Sequence, residues 1–278
     1  MLKKHGILGL LLIIYAEVIM LLKIQPLSTW YFYPIWFGYI LFVDSLVYEI
    51  KKKSIIINEP IKAIKMLFIS IFVWWFFEFC NLFTRNWYYK NIQEPIWLIF
   101  SIAFSTVILA VFETSYLLKS LKIFERIKLP FEIKITKNLI FIIVIFGLLL
   151  MLGVIVSPYY FFGGIWFFPF LILDPINYIK KRPSILKNLE KGKFNEILYI
   201  MIATLICGFF WEFWNFWAYP KWFYNIPLLH NLGFLTPITT FKIFEMYLPG
   251  YLGYMPFGLS LFAMYYFAEG IIRKIKSS

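Results

Sequence analysis

The sequence predicts an all-α, polytopic membrane protein, and both its composition and its apolar segments support this fold class. Hydrophobic residues make up 62% of the 278 residues and charged residues only 15%, whereas a soluble domain carries about 25% charged residues. A soluble globule of this size still exposes about a quarter of the surface of its unfolded chain, so it could not cover this much apolar area. The same figures exclude disorder, collagen and a small disulfide-rich scaffold.

Eight apolar stretches are long enough to cross a bilayer, which requires a helix of about 20 residues. They lie near residues 6–23, 30–49, 64–84, 95–118, 138–157, 160–178, 195–217 and 252–272. The first stretch follows Lys3 and Lys4, as the core of a signal peptide would. It is longer than such a core and has no cleavage site, so we predict a retained helix.

The basic residues between the spans predict the orientation of the chain. If the N-terminus is cytoplasmic, 22 of the 27 Lys and Arg residues lie on the cytoplasmic side. This asymmetry follows the positive-inside rule and predicts eight spans in the cell membrane with both termini in the cytoplasm. The basic residues of these loops account for the net charge of +12, and we expect them to contact anionic lipid head groups. Because no nucleic-acid-binding motif accompanies the charge, we predict no nucleic-acid partner.

The two halves of the chain resemble each other in the order and spacing of several residues. Trp36, Asp44 and Tyr48 are followed 130 positions later by Trp166, Asp174 and Tyr178. Two Glu-Phe-x-Asn segments lie 134 positions apart, at residues 78–81 and 212–215, and an aromatic segment follows each of them. Such a run of matches in one order predicts a tandem duplication.

Each predicted repeat contains four spans, and the repeats comprise residues 1–125 and 126–278. Because four is an even number, the repeats have the same orientation and are related by an axis along the membrane normal. The second repeat has a long outer connection, residues 218–251, which contains four prolines. We expect a re-entrant or capping segment there, since irregular backbone at membrane depth must be buried in protein or line a cavity.

Glu78 and Glu212 are candidate substrate-binding residues because a charge in mid-membrane costs about 2.5–3.5 kcal/mol on insertion scales. Asn81 and Asn215 follow three residues later, so each shares a helix face with its glutamate. An asparagine amide can donate to a carboxylate or join it in coordinating a cation or substrate. The alternative is that these side chains only hold helices together, but the duplication of the pair favours a site.

Trp75 and Trp211 belong to the same candidate site, because they lie close to the Glu/Asn pairs in the sequence. An AT-rich genome could explain many of the Phe and Tyr residues, but it cannot explain 11 Trp residues, whose codon carries two G. Indole rings beside a carboxylate suit a cationic ligand through cation–π attraction. They would equally suit a flat or isoprenoid-like lipid, and simple packing is the alternative.

Asp44, Asp174 and Glu113 are candidates for a proton or cation relay. The aspartates lie toward the cytoplasmic ends of the second and sixth spans, so they could instead pair with the basic loops. Asp174 precedes Pro175, which predicts a possible helix end. Within the duplication, Glu113 corresponds either to Glu245 by spacing or to Ser260 by position in the last helix.

The sequence offers little for metal or cofactor chemistry. Two cysteines and two histidines argue against zinc, haem and iron–sulfur centres. The chain has no phosphate-binding glycine loop, no G-x-S-x-G segment and no aspartate-rich motif for a metal-bound pyrophosphate. We therefore predict no metal site and no cofactor.

The duplicated Glu-Phe-x-Asn segments and the stretch 244–250 resemble uncharacterised prokaryotic integral membrane proteins with several spans. This resemblance covers most of the chain and implies no activity. The acidic and aromatic helices are also similar to those of membrane carotenoid cyclases. Those enzymes carry a motif of a proline with paired acids, which is absent here, so no residue roles follow from the similarity.

Three functions are compatible with these features. The first is a transporter or channel-like carrier of a small or cationic solute, with its site between the two repeats. The second is a membrane enzyme acting on a lipid or isoprenoid, in which a buried glutamate is the general acid and aromatic faces stabilise positive charge. The third is a structural or assembly subunit of the membrane. Whether the protein is an enzyme stays open.

Overall fold

The computed structural model describes residues 2–129 and 133–277, with side chains up to residue 275, and most of these residues form α-helices. Lys276, counted above among the cytoplasmic basic residues, therefore has its side chain outside the described part. Seven helical segments are long and apolar enough to cross a membrane. They are Lys4–Leu21, Pro60–Thr84, Ile96–Ser120, Lys137–Val156, Pro158–Ile179, Phe194–Trp217 and Leu248–Ile275. These segments confirm the all-α class and indicate a multi-pass membrane protein.

The eighth predicted span, near residues 30–49, forms the 20-residue helix Phe32–Lys51. This helix is not among the seven segments that are apolar enough to cross. Its second half contains Asp44, Glu49 and Lys51, which lower its apolar character. The predicted count of eight therefore exceeds the seven segments that length and composition support.

The first half of the chain contains five helices and one strand. They are α1 (Lys4–Leu21), α2 (Phe32–Lys51), α3 (Ile55–Asn58), α4 (Pro60–Thr84), β1 (Trp87–Lys90) and α5 (Ile96–Ser120), with a 3₁₀ turn at Leu27–Trp30. Pro60 opens α4, where a missing backbone N–H costs nothing. Arg85 ends the same helix with a φ of 50°, and this left-handed residue turns the chain directly into β1.

The second half has the same order of elements with insertions. Its helices are α6 (Lys137–Val156), α7 (Pro158–Phe161), α8 (Phe168–Ile179), α9 (Ile185–Glu190), α10 (Phe194–Trp217), α11 (Thr236–Thr239) and α12 (Leu248–Ser277). Its strands are β2 (Lys221–Tyr224), β3 (Lys242–Ile243) and β4 (Met246–Tyr247), and 3₁₀ turns occur at Phe162–Trp166, Pro227–His230 and Gly233–Leu235. The helix end suggested before Pro175 is not found, because α8 continues through Pro175 to Ile179.

The helices pack as two groups that meet in the centre of the molecule. In one group α2 contacts α1 and α5, and α5 also packs on α4; in the other α12 contacts α8 and α10, and α8 packs on α6. Contacts of α5 with α10 and of α4 with α12 join the groups. Helices α1 and α2 approach closely at Gly9 and Gly38, where a methyl group on either glycine would overlap backbone of the other helix. Such small-residue contacts are typical of membrane helices.

One two-stranded sheet connects the two halves. Strand β1 pairs with β2 in antiparallel register, with Trp87 opposite Tyr224 and Tyr89 opposite Trp222. The predicted outer segment 218–251 contributes β2, the 3₁₀ turns that follow it, α11 and the small β3–β4 hairpin, and it leads into α12. The sheet and this segment cover one end of the helix bundle near the aromatic residues described next.

Candidate functional site

Glu78, near the end of α4, accepts hydrogen bonds from three aromatic side chains. The Tyr89 hydroxyl lies 2.5 Å from Oε1, and the indole nitrogens of Trp74 and Trp87 lie 3.0 Å and 3.2 Å from the same oxygen. Trp74 is one helical turn before Glu78 and therefore shares its face, whereas Trp87 and Tyr89 return from β1. The carboxylate thus fixes the side chains of the strand against the helix that precedes it.

Glu212, near the end of α10, is fully buried and has a similar but smaller set of donors. The hydroxyls of Tyr224 and Tyr254 lie 2.6 Å and 2.7 Å from Oε1. The Trp222 indole donates to the Tyr224 hydroxyl at 2.9 Å rather than to the carboxylate. Within the described part of the chain, Oε2 of Glu212 has no hydrogen-bond partner.

The strand tyrosines remain hydroxyl donors at neutral pH. Burial raises the pKa of Tyr89 well above its ordinary value, and the neighbouring Glu78 adds to the rise. Burial also raises the pKa of Tyr224, with Glu212 as the second cause. Each tyrosine therefore presents a proton to its glutamate.

Asn81 and Asn215 bind the backbone of the strands. The Asn81 amide donates to the Trp87 carbonyl at 2.8 Å, and its Oδ1 accepts from Asn86 N at 2.8 Å. Asn215 contacts a single residue twice, donating to the Trp222 carbonyl and accepting from Trp222 N, both at 2.9 Å. These amides supply hydrogen-bond partners that the backbone at the start of each strand would otherwise lack.

The sheet has two distinct faces because side chains alternate along each strand. Tyr88 and Phe223 stack on each other on one face, with ring centroids 5.6 Å apart. Trp87, Tyr89, Trp222 and Tyr224 belong to the other face and line a cavity.

This cavity has a volume of about 350 Å³ and lies between the two halves of the molecule. Residues of α2, α4 and α5 line it from the first half, and the 3₁₀ turn before α8, helix α10 and helix α12 line it from the second. Aromatic rings dominate the lining, which includes six tryptophans: Trp30, Trp74, Trp87, Trp166, Trp211 and Trp222. In the described chain no carboxylate lines the cavity, because Glu78 and Glu212 lie one hydrogen bond behind its aromatic wall.

The rim of the cavity includes side chains that face the surroundings. Trp30 is 41% exposed and Gln93 is exposed as well. Below them the Tyr33 hydroxyl donates to the Ile99 carbonyl at 3.1 Å, joining α2 to α5. The neighbouring Trp97 is 65% exposed and apolar. Exposed indoles are typical of the bilayer interface.

The structure brings only some of the predicted site residues to the cavity. Trp211 lines it and packs against Trp36 at a centroid distance of 5.2 Å. Trp75 points elsewhere on α4 and donates to Ser101 Oγ at 3.0 Å. Both Glu/Asn pairs converge on the β1–β2 sheet, the glutamates through the strands' aromatic side chains and the asparagines through their backbone.

Several residues of the wall were not predicted as site residues from the sequence. Tyr89, Tyr224 and Tyr254 connect the cavity to the glutamates, and Trp166, noted in the sequence only as part of the predicted duplication, lines it. A signal for the strand residues was available, because each Glu-Phe-x-Asn segment is followed by an aromatic segment at nearly the same distance. Tyr254 had no comparable signal, since it comes from another helix 42 residues away.

Two of the proposed relay residues, Asp44 and Asp174, are fully buried. Each accepts hydrogen bonds from the backbone at the start of the next helix, α3 for Asp44 and α9 for Asp174. Asp174 accepts from the backbone N–H groups of Ile185 and Leu186 at 2.8 Å and 2.9 Å. Asp44 accepts from the Ile56 N–H at 2.8 Å. Among the described residues neither aspartate forms an ion pair with Lys or Arg of the basic loops.

Asp44 has additional partners on the side away from the backbone. Its Oδ2 accepts from the Ser54 hydroxyl at 2.9 Å and lies 3.0 Å from His5 Nε2. The carboxyl of Glu113, on α5, lies beside that of Asp44, close enough for the two charges to repel each other. The structure therefore brings Asp44 and Glu113 together but leaves Asp174 apart from them.

The two proposed counterparts of Glu113 have other roles. Glu245 lies in the turn between β3 and β4 and pairs with Lys221 at 2.6 Å. Ser260 joins α12 to the first turn of α8 and to the 3₁₀ turn before it, since its hydroxyl accepts from Phe170 N at 3.2 Å and donates to the Trp166 carbonyl at 2.8 Å.

Metal binding has no evident location in residues 2–129 and 133–277, where no group of three or more His, Cys, Asp or Glu side chains is placed to hold an ion. Cys80 and Cys207 are both buried free thiols. Comparison of the chain with protein-family models, with curated proteins and with solved structures gave no match.

Proposed function

We propose that the chain crosses the membrane eight times as two tandem repeats of like orientation, residues 1–125 and 126–278. The β1–β2 register supports this arrangement. Trp87 corresponds to Trp222 and Tyr89 to Tyr224 in the duplication, and each pairs with the counterpart of the other. A pseudo-twofold axis through the stacked rings of Tyr88 and Phe223 would relate the two strands, as it would for repeats with the same orientation.

The contact between α1 and the end of α2 supports Phe32–Lys51 as the eighth span. His5, in the first turn of α1, lies 3.0 Å from Asp44, which is near the end of α2. The start of one helix and the end of the next are therefore on the same side, as two consecutive crossings require. At about 1.5 Å per residue the 20 residues of α2 extend about 30 Å. The positive-inside rule then places this side, with both termini, in the cytoplasm beside anionic head groups of the cell membrane.

The cavity between the halves supports a function in binding a lipid-soluble ligand, and we assign it to an isoprenoid-type molecule. The main support for this assignment is the composition of the cavity wall, which consists mainly of aromatic rings and includes neither glutamate. An apolar ligand would gain burial against these rings. A strongly hydrated ion would lose its water and find only a few polar side chains, such as Asn86 and Gln93, in exchange. The exposed indoles at the rim fit entry from the membrane.

The same wall suits an enzyme as well as a binding protein. Positive charge that develops on an unsaturated ligand would be stabilised by the faces of the rings. Glu212 and its two tyrosine hydroxyls form one acid group directly behind the cavity wall. Proton transfer to a ligand would therefore pass through Tyr224 or Tyr254, because the carboxyl itself does not reach the cavity.

The second candidate is a carrier of a small or cationic solute, favoured by the two carboxylates immediately behind the rings. Glu78 and Glu212 would make the cavity attractive to a cation that tolerates an apolar wall, such as a quaternary ammonium group. Such quaternary ammonium cations would bind and move across proteoliposome membranes if this candidate is right. A lipid-soluble neutral ligand would then have no effect.

Tryptophan fluorescence distinguishes the two candidates, because six tryptophans line the cavity. The probes are all-trans-retinol, a neutral isoprenoid alcohol whose polyene quenches indole emission, and tetramethylammonium, a hydrophilic cation. Purified protein in nanodiscs should bind retinol saturably. Ala103→Phe places a ring in the cavity and should weaken binding about tenfold, a loss of about 1.4 kcal/mol.

The matched control is Ile142→Phe, which adds a ring on the outer surface of α6, where Ile142 is 61% exposed. It should bind retinol as the wild type does. Equal quenching in wild type, Ala103→Phe and empty nanodiscs would refute the isoprenoid assignment. Saturable binding of tetramethylammonium without retinol binding would favour the carrier.

A further inference from the structure

A second site lies outside the aromatic cavity, where the carboxyls of Asp44 and Glu113 meet. We propose that this pair binds one proton and exchanges it through His5 with the aqueous phase beside the N-terminus. The proposal does not depend on the ligand of the aromatic cavity, since none of these three residues lines that cavity.

Glu113 supplies the first argument, because it is fully buried and lacks ordinary partners. Neither of its oxygens receives a hydrogen bond from an N–H or hydroxyl donor within the described residues. A buried carboxylate left in this condition would be strongly unfavourable. Its carboxyl instead faces Asp44, and a single proton between the two groups would supply the missing hydrogen bond and remove the repulsion.

Asp44 is the acceptor in this pair and Glu113 the donor. Asp44 already accepts from Ile56 N and from the Ser54 hydroxyl, two donors that stabilise a carboxylate. Glu113 has no such support and is therefore the carboxyl that keeps the proton. The result is a Glu113 O–H donating to an Asp44 carboxylate.

His5 provides the connection to the surface. Its Nε2 lies 3.0 Å from Asp44 Oδ2, and its side chain is 17% exposed whereas that of Asp44 is fully buried. An imidazole can accept a proton at one nitrogen and release it at the other. Among the groups around the pair, His5 thus reaches both the acid and the water.

The other charged groups near the pair do not neutralise both carboxyls, so one proton remains to be bound by the pair. Lys62 of α4 acts on Glu113 from a distance, but it is already paired with Glu59 at 3.0 Å. The Tyr116 hydroxyl on α5 accepts from Lys62 at 3.3 Å, and Tyr265 of α12 lies beyond it. Because the charge of Lys62 is largely balanced by Glu59, the proton is the remaining compensation for two facing carboxyls.

Infrared difference spectroscopy of the purified protein in nanodiscs tests the proposal through the carbonyl stretch of protonated carboxyl groups. Glu113→Gln should remove one such band from the wild-type spectrum. Asp44→Asn should remove the same band, because the new amide donates to Glu113 and the proton is no longer needed. The double variant should remove no more than either single variant, since the pair holds one proton.

His5→Phe should keep the band but slow its shift on transfer from H₂O to D₂O, by about a hundredfold for the loss of a positioned proton-transfer group. Asp174→Asn is the control, because Asp174 has no acidic neighbour in the described structure. It should leave the band assigned to Glu113 unchanged.

An unchanged carboxyl spectrum in Glu113→Gln would overturn the proton site, and so would a double variant that loses two bands. Unchanged exchange in His5→Phe would overturn the route through His5. If Asp44→Asn does not fold, because Asp44 also holds α3, Glu113→Gln with the same measurement decides the question alone.

Discussion

Asp44 and Asp174 occupy matching places in the two halves, each near the end of one helix and hydrogen-bonded to the start of a short helix that follows. In the second half the aspartate contacts the backbone of α9 through both oxygens. In the first half only one oxygen contacts the backbone of α3, and the other faces a hydroxyl and an imidazole. The first-half aspartate also has an acid, Glu113, beside it.

The two aspartates share a structural role, and only Asp44 has neighbours that support the proposed role in proton exchange. Both aspartates hold the chain at the first turn of a helix, where backbone N–H groups have no partner in the helix itself. Only Asp44 combines this task with neighbours that can exchange a proton. Two residues in matching positions can thus have the same role in the fold while the surroundings of one of them differ.

Substitution of each aspartate by asparagine tests this difference and should give the largest change in stability. Asp174→Asn points an amide N–H₂ at a backbone N–H, leaves that donor unsatisfied and should destabilise the protein by about 3 kcal/mol. Asp44→Asn should cost less than about 1 kcal/mol, because its amide can donate to the Ser54 hydroxyl and to Glu113. Thermal unfolding in detergent measures both losses.

Ser54→Ala provides the control for this difference, since it removes one of the groups that can accept from the new amide. In that background Asp44→Asn should become more costly, while Asp174→Asn should be unaffected. Equal losses for both aspartates in the wild-type background would mean that Asp44 has only the structural task.

Much of the fold could be predicted from the sequence, because membrane crossing depends on composition along the chain. Seven of the eight predicted spans correspond to helices that are apolar enough to cross. The exception, Phe32–Lys51, is a helix of the expected length, but Asp44 and Glu49 reduce its apolar character. Acidic residues such as Asp44, which belongs to the proposed proton site, also make this helix difficult to recognise as a span.

The candidate site was less predictable, because it depends on how helices rotate and on where distant segments return. Trp74 and Trp75 are adjacent in sequence, but only Trp74 lines the cavity. Periodicity alone could not select between them. The roles of Asn81 and Asn215 depend on strands that come back to the helix ends, and the pairing of those strands joins residues more than 130 positions apart.

The two glutamates behind the aromatic wall give a second comparison, with an intermediate expected effect on stability. Tyr254→Phe removes one of two donors from the fully buried Glu212, so we expect a loss of about 2 kcal/mol. Tyr89→Phe removes one of three donors from Glu78, and the indoles of Trp74 and Trp87 remain. Its loss should be below about 1 kcal/mol.

Unfolding in detergent, followed by tryptophan fluorescence, measures this pair of variants. Trp87→Phe combined with Tyr89→Phe should raise the loss in the first half toward that of Tyr254→Phe. If the Tyr89→Phe variant is as unstable as Tyr254→Phe, the indole hydrogen bonds to Glu78 do not compensate for the lost Tyr89 hydroxyl.

The lysines at the edges of the sheet give the smallest expected difference. Lys90 and Lys221 are paired in register and both extend over the Phe223 ring, at 5.2 Å and 4.8 Å from its centroid. Lys221 also forms an ion pair with Glu245 at 2.6 Å, and both side chains are less than one fifth exposed. Lys90 has no carboxylate within ion-pair distance in the described chain.

Replacement by methionine keeps the aliphatic part of each lysine and removes the charge. Lys221→Met should cost about 1 kcal/mol, because it leaves a partly buried Glu245 unpaired, whereas Lys90→Met should cost about 0.5 kcal/mol or less through its cation–π contacts alone. Adding Glu245→Gln should bring Lys221→Met down to the level of Lys90→Met in thermal unfolding. If the two lysines remain different in that background, the ion pair with the β3–β4 turn is not what distinguishes them, and the contact of Lys221 with the Phe216 carbonyl is the remaining difference.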